Sequence, residues 1–113
     1  MLNKLRDEAF ENAEKHGFHE NWDFARALML TVGELSEAME ADRNGNWCSL
    51  AIMLMTPEAA DYKNVKGTVE EELADAIIRL LDIAGFYDID LDWHVKAKMA
   101  YNKTRPFKHG KKY

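Results

Sequence analysis

Thr68-Val69-Glu70-Glu71-Glu72-Leu73-Ala74-Asp75-Ala76-Ile77-Ile78-Arg79-Leu80-Leu81-Asp82-Ile83-Ala84-Gly85-Phe86-Tyr87 is the stretch whose reading decides the fold. Thr68 followed by Glu71 is a capping box, in which each side chain satisfies the other residue's backbone amide. Beyond that start, Leu73, Ala74, Ala76, Ile77, Ile78, Leu80, Leu81, Ile83 and Ala84 surround nearly the whole circumference of a helix. A helix apolar on all sides packs on several sides, so this one belongs at the centre of the molecule.

Working outward, residues 1 to about 15 place Leu2, Leu5, Ala9, Phe10 and Ala13 at helical spacing, and His16-Gly17 stops them with a glycine C-cap pattern. A helix of about twenty residues follows, from Asn21 or Asp23 as N-cap to about Asp42, and Arg43-Asn44-Gly45-Asn46 ends it. Residues 47–67 read as a variable connector, with an apolar run from Leu50 to Met55 and Pro57 placed to open a short helix. After the turn at Asp88-Ile89-Asp90, a helix from about Leu91 to Tyr101 leads to Pro106, and the basic tail from about 103 to 113 is expected to be extended. No repeat, heptad run or strand-period alternation interrupts this pattern. The expectation is an all-α chain: one domain over residues 1–113, an antiparallel helical bundle of four main helices.

The composition sets limits on function. Apolar residues make up 47% and charged residues 31% of the 113, as in a folded globular chain. No apolar run approaches the roughly 20 residues that cross a bilayer, and the first residues lack an apolar leader, which together predict a cytoplasmic protein with no membrane role. A net charge of −5 argues against a nucleic-acid polymer as partner. The charge is unevenly spread: all 20 acidic residues lie at or before Asp92, and the segment from His94 to Tyr113 holds only basic ones. Cys48, the single cysteine, has no second cysteine for a disulfide or a zinc site and reads as a half-buried apolar residue.

Chemistry is concentrated in two carboxylate pairs. Glu34 and Glu37 interrupt the apolar stretch Leu28–Met39, and Glu72 and Asp75 repeat the three-residue spacing in the central helix, so each pair shares one helical face. Similar pairs in the first helix sit among polar residues and read as a solvated surface. Glu34, Glu37 and Asp75 instead fall where a bundle should be dry, and unpaired ionised carboxylates there cost several kcal/mol unless cations neutralise them. Four oxygen donors without sulfur or imidazole suit Mg²⁺, with Mn²⁺ as a second choice. The competing solution is internal pairing, through Arg26, Arg79 or Lys66, or through an intrahelical chain of Asp75, Arg79 and Asp82.

These motifs, Gly33-Glu34-Leu35-Ser36-Glu37-Ala38 and Glu71-Glu72-Leu73-Ala74-Asp75-Ala76, resemble those of the all-α nucleoside triphosphate pyrophosphohydrolase superfamily. That superfamily includes MazG-like proteins, dimeric dUTPases and dCTP pyrophosphatases. The likeness runs from about Phe18 to Arg105. It implies a MazG-like bundle completed by dimerisation, as a homodimer or homotetramer. It also implies Mg²⁺ on Glu34, Glu37, Glu72 and Asp75, and hydrolysis of a nucleoside triphosphate between the α- and β-phosphates. Lys98-Met99-Ala100-Tyr101-Asn102-Lys103-Thr104-Arg105 is similar to the family's phosphate-side segment, which makes Lys98, Asn102 and Arg105 candidate phosphate ligands. For the base, the aromatic group before the second helix offers stacking, with Trp22 the preferred candidate and His19 beside it.

Two other classes fit less of the pattern. A di-iron carboxylate bundle needs Glu-x-x-His pairs, and Glu37 and Asp75 stand at the histidine positions. A non-catalytic helical interaction module would use an acidic groove and the basic tail for partners of opposite charge.

Overall fold

The computed structural model describes residues 1–113. Its helices are α1 (Leu2–Lys15), α2 (Phe24–Arg43), the single turn α3 (Leu50–Met53), α4 (Val69–Phe86) and α5 (Leu91–Lys103). Two short 3-10 turns lie at Tyr62–Asn64 and Phe107–Gly110, and there is no strand. The caps are those the sequence offers. Asp23 accepts from the Arg26 amide, Thr68 from the Glu71 amide and Asp90 from the Trp93 amide, each satisfying a donor that the first turn of a helix leaves free. Gly17, at φ +79°, turns the chain out of α1 in a conformation that a side chain would oppose.

Three details differ from expectation. The returning arm of the capping box reaches one residue further: Glu71 accepts from the Gly67 amide and from the Tyr62 hydroxyl, while the Thr68 amide donates to the Val65 carbonyl. Pro57 begins a turn rather than a helix, because the apolar run before it supplies the short helix at Leu50–Met53. The basic tail is not simply extended, since Pro106 leads into a tight turn with Lys108 and His109 at positive φ.

α4 is central, packed on α1 along one side and on α2 along another. Both neighbours run antiparallel to it. Arg6 of α1 donates to the Ile89 carbonyl just beyond α4, whereas His19, after α1, meets Asp82. Along α2, Phe24 meets Tyr87 and Glu34 meets Arg79. α5 packs chiefly on α1, and the starts of the two helices cap each other. Asp92 accepts from the amides of Leu2 and Asn3, and the Asn3 carboxamide oxygen accepts from those of Leu91 and Asp92.

The four main helices thus form an open layer rather than a closed bundle. The radius of gyration is 16.6 Å, against about 13 Å for a compact chain of this length. The accessible surface is 8815 Å², against about 6,300 Å² for a folded monomer of this mass. Leu35 and Met39 of α2 and Leu73, Ile77 and Leu80 of α4 all remain exposed. The all-round apolar character of α4 therefore exceeds what this chain alone covers.

α1 and α4 approach closely at Gly85, where an added Cβ would stand 2.7 Å from Phe10 Cβ and 3.2 Å from the Arg6 carbonyl. Gly85→Ala is expected to force the helices apart and to destabilise the fold by about 1–3 kcal/mol, read as a lower urea midpoint at an unchanged slope.

Candidate metal and phosphate site

Successive turns of α4 present Glu72, Asp75, Arg79, Asp82 and Phe86 along one stripe, at intervals of three and four residues. Each of the first four is charged, and the two that are paired, Arg79 and Asp82, take partners from outside the helix. Glu34 of α2 projects onto the first part of the stripe, and one carboxylate oxygen from each of Glu34, Glu72 and Asp75 lies within 4.8 Å of the others. Glu72 is buried; Glu34 and Asp75 are half-buried.

Only one of these acids has a cation of its own. Arg79 Nε donates to Glu34 Oε1 at 2.7 Å. The competing intrahelical chain of Asp75, Arg79 and Asp82 does not form, because Arg79 reaches across to α2 and Asp82 turns to His19. Burial alone would push the Glu34 carboxyl up, but the Arg79 guanidinium, helped by Glu37 and Glu72, holds it below the usual range. Glu72 has no such counterion. Burial, then the neighbouring Glu37 and Glu34 carboxyls, push it up to about 7, and Asp75 is raised by burial and by Glu34 and Glu71.

Glu37 is a correction to its expected dry setting. It is exposed on α2 and reaches the cluster from its edge, through its effect on Glu34 and Glu72.

Whether these residues suit a divalent ion is tested by Glu72, whose Oε2 is buried without a hydrogen-bond partner. A buried orphan acceptor beside two further carboxylates is costly as it stands and well suited to a hard cation. All the donors are oxygen, which fits Mg²⁺ or Mn²⁺ and not a soft metal.

Beside the carboxylates lies a cavity of about 370 Å³. Glu34, Asp75 and Arg79 form one part of its wall; Phe18, Trp22, Asp23 and Arg26 form another, with Asn12 contributed by α1. Trp22 is fixed there by stacking on Phe86, with centroids 4.1 Å apart and planes at 11°, and its Nε1 donates to the Tyr87 hydroxyl at 2.9 Å.

His19 departs from its expected role as a base contact. Its ring is buried and does not line the cavity. One ring nitrogen pairs with Glu14 and the other with Asp82 at 2.7 Å, and Phe10 stacks on the ring at 4.6 Å. Both polar edges are used in tying α1, α4 and the loop between α1 and α2 together.

Lys98, Asn102 and Arg105 are not brought to the carboxylates within one chain. They lie on and just beyond α5, which rests on α1, and none lines the cavity. Lys98 and Arg105 instead gather over the Tyr101 ring, at 5.0 and 5.3 Å. The cations that do line the cavity are Arg26 and Arg79. Sequence reasoning weighed both only as internal counterions, although Arg79, four residues after Asp75, shares its helical face.

No protein-family profile, no curated protein and no solved structure matches the chain. No helix is long and apolar enough to cross a membrane.

The His19 cluster makes a pH-dependent contribution to stability. Burial opposes the charged ring, yet the Glu14 and Asp82 carboxylates outweigh it and raise its pKa above 6.5. A histidine whose pKa is raised by folding stabilises fully below the unfolded value and loses that contribution as pH rises through the folded value. The stability difference between the protein and its His19→Gln variant, measured by urea unfolding, is therefore expected to be largest below about pH 6.5 and to shrink towards pH 9.

Proposed function

We propose that the chain is a MazG-like nucleoside triphosphate pyrophosphohydrolase, dependent on Mg²⁺, that cleaves between the α- and β-phosphates to give a monophosphate and pyrophosphate. One observation carries the reading. The orphaned, buried Glu72 carboxylate lies beside Glu34 and Asp75, and those two acids line a cavity that also holds a fixed tryptophan.

Glu34, Glu72 and Asp75 would hold the ion, with Glu37 at their edge. When bound, Mg²⁺ supplies positive charge against the phosphate oxygens and acidifies a water molecule. The chain's own part is placement. Glu37, exposed beside the cluster, is positioned to accept a proton from water or to orient it. The indole of Trp22, clamped by Phe86 and Tyr87, offers a rigid surface for a base. Asn12, Asp23 and Arg26 supply polar groups in the same cavity, so base discrimination rests on them.

The test is pyrophosphate release across a panel of canonical and modified triphosphates. Expected are pyrophosphate rather than orthophosphate, no turnover in EDTA, and a fall in kcat of about 100-fold or more for Glu72→Gln and Asp75→Asn. Glu72→Gln should unfold at a higher temperature than the parent when no divalent ion is present, because it removes a crowded carboxylate without changing shape. Orthophosphate release would place the cleavage elsewhere in the polyphosphate.

The open layer supports a second element of the proposal, a homodimer. The surface in excess of a compact monomer is on the scale that one partner contributes to a permanent homodimer interface, and it includes the apolar residues of α2 and α4 beside the acidic cluster. Light scattering should give at least twice the 13.0 kDa chain mass, and Ile77→Glu should shift the population towards the single chain.

The alternative, a non-catalytic helical interaction module, draws on the same exposed surface and on the Arg79–Glu34 pair, which already neutralises one acid. Titration with Mg²⁺ separates the two: no divalent affinity would favour the module.

A further inference from the structure

We infer that Arg79 is the phosphate ligand of this site, holding Glu34 with one edge of its guanidinium and a phosphate oxygen with the other. The inference rests on the metal-and-nucleotide reading above, and it moves phosphate recognition from α5 to α4.

The geometry supports two simultaneous contacts. A guanidinium presents five N–H donors in a fixed plane. Arg79 spends Nε on Glu34 Oε1 at 2.7 Å, and neither terminal nitrogen has a hydrogen-bond partner in the protein. The side chain is 38% exposed and lines the cavity together with Glu34 and Asp75. Its unspent donors thus belong to a cavity wall that also carries the carboxylates. A cation tethered beside a cluster that attracts a second cation sets two positive groups next to each other. A polyphosphate, with several negative oxygens, is the ligand chemistry that relieves their repulsion. Lysine is a poorer replacement, because its compact ammonium lacks the planar fork that presents separate edges to Glu34 and to the phosphate.

Isothermal titration with Mn²⁺ alone, and then with inorganic tripolyphosphate on the Mn²⁺-loaded protein, tests this without any need to know the base. For Arg79→Gln at pH 8, Mn²⁺ affinity is expected to be kept or to rise, while tripolyphosphate affinity falls by about tenfold or more. Circular dichroism confirms that the variant is folded. Should it fail to fold, Arg79→Lys decides: it is expected to lose several-fold in tripolyphosphate affinity, and full retention would overturn the two-handed role. Tripolyphosphate binding by Arg79→Gln within about twofold of the parent would also overturn it. So would a loss of Mn²⁺ binding, which would make Arg79 a positioning residue for Glu34 only. Absence of Mn²⁺ binding in the parent is a different failure, because it overturns the metal reading from which the inference starts.

Discussion

Glu34, Glu72 and Asp75 offer oxygens within 4.8 Å of one another in a partly desolvated crevice, and one guanidinium is the only cation paired with them. Their mutual repulsion is the constraint around which α2 and α4 are organised. In water, three carboxylates would separate; here the packing of α4 on α2 holds them together. The protein meets the strain in two ways. Arg79 keeps Glu34 ionised, and Glu72, without such a neighbour, has its pKa pushed up to about 7. Carboxylates that share one crevice thus differ in their hold on a proton, because only one of them has a guanidinium beside it.

Local signals made the helices legible. Asp23, Thr68 and Asp90 are cap residues followed by apolar periodicity, and each begins its helix as such residues should. The pairing of Glu34 with the Glu72–Asp75 face was legible too, because unpartnered acids inside apolar helices demand a common solution. What the sequence did not disclose was tertiary. Asp75 and Asp82 both stand at intrahelical pairing distance from Arg79, yet Arg79 and Asp82 turn to partners outside α4, and linear spacing cannot distinguish the two outcomes. His19 looked like a member of an aromatic pocket, but burial between two carboxylates gives it a structural role. Lys98 and Arg105 were assigned by likeness of a short basic segment. Their place is set by the exchange of caps between α1 and α5, which no motif announces.

The open layer bears on the same point. α4 is apolar all round, but α1 and α2 cover only two of its sides, and the exposed residues continue onto α2. A core left incomplete by its own chain weakens the rigidity that a metal site requires, unless something covers it. A second copy would remove apolar surface from water and would also lower the dielectric around Glu72 and Asp75, raising the energetic demand for a cation. Under the proposed function, assembly and ion binding would be coupled in sign, each making the other more favourable.

The stripe on α4 shows how one helix can set the whole length of a site. Glu72, Asp75, Arg79, Asp82 and Phe86 lie on one face, and the fourteen residue steps from first to last span about 21 Å at the helical rise. Glu72 and Asp75 meet Glu34 at one end; Phe86 stacks under Trp22 at the other. Arg79 lies between them, and Asp82 fastens His19 and the loop that carries Trp22. Because all five side chains ride on one rigid rod, the distance from the acidic cluster to the indole is fixed by helix geometry rather than by loop conformation. Under the proposed function, the order of groups along the rod, acids, arginine, then aromatic ring, would be the order of a polyphosphate attached to a base.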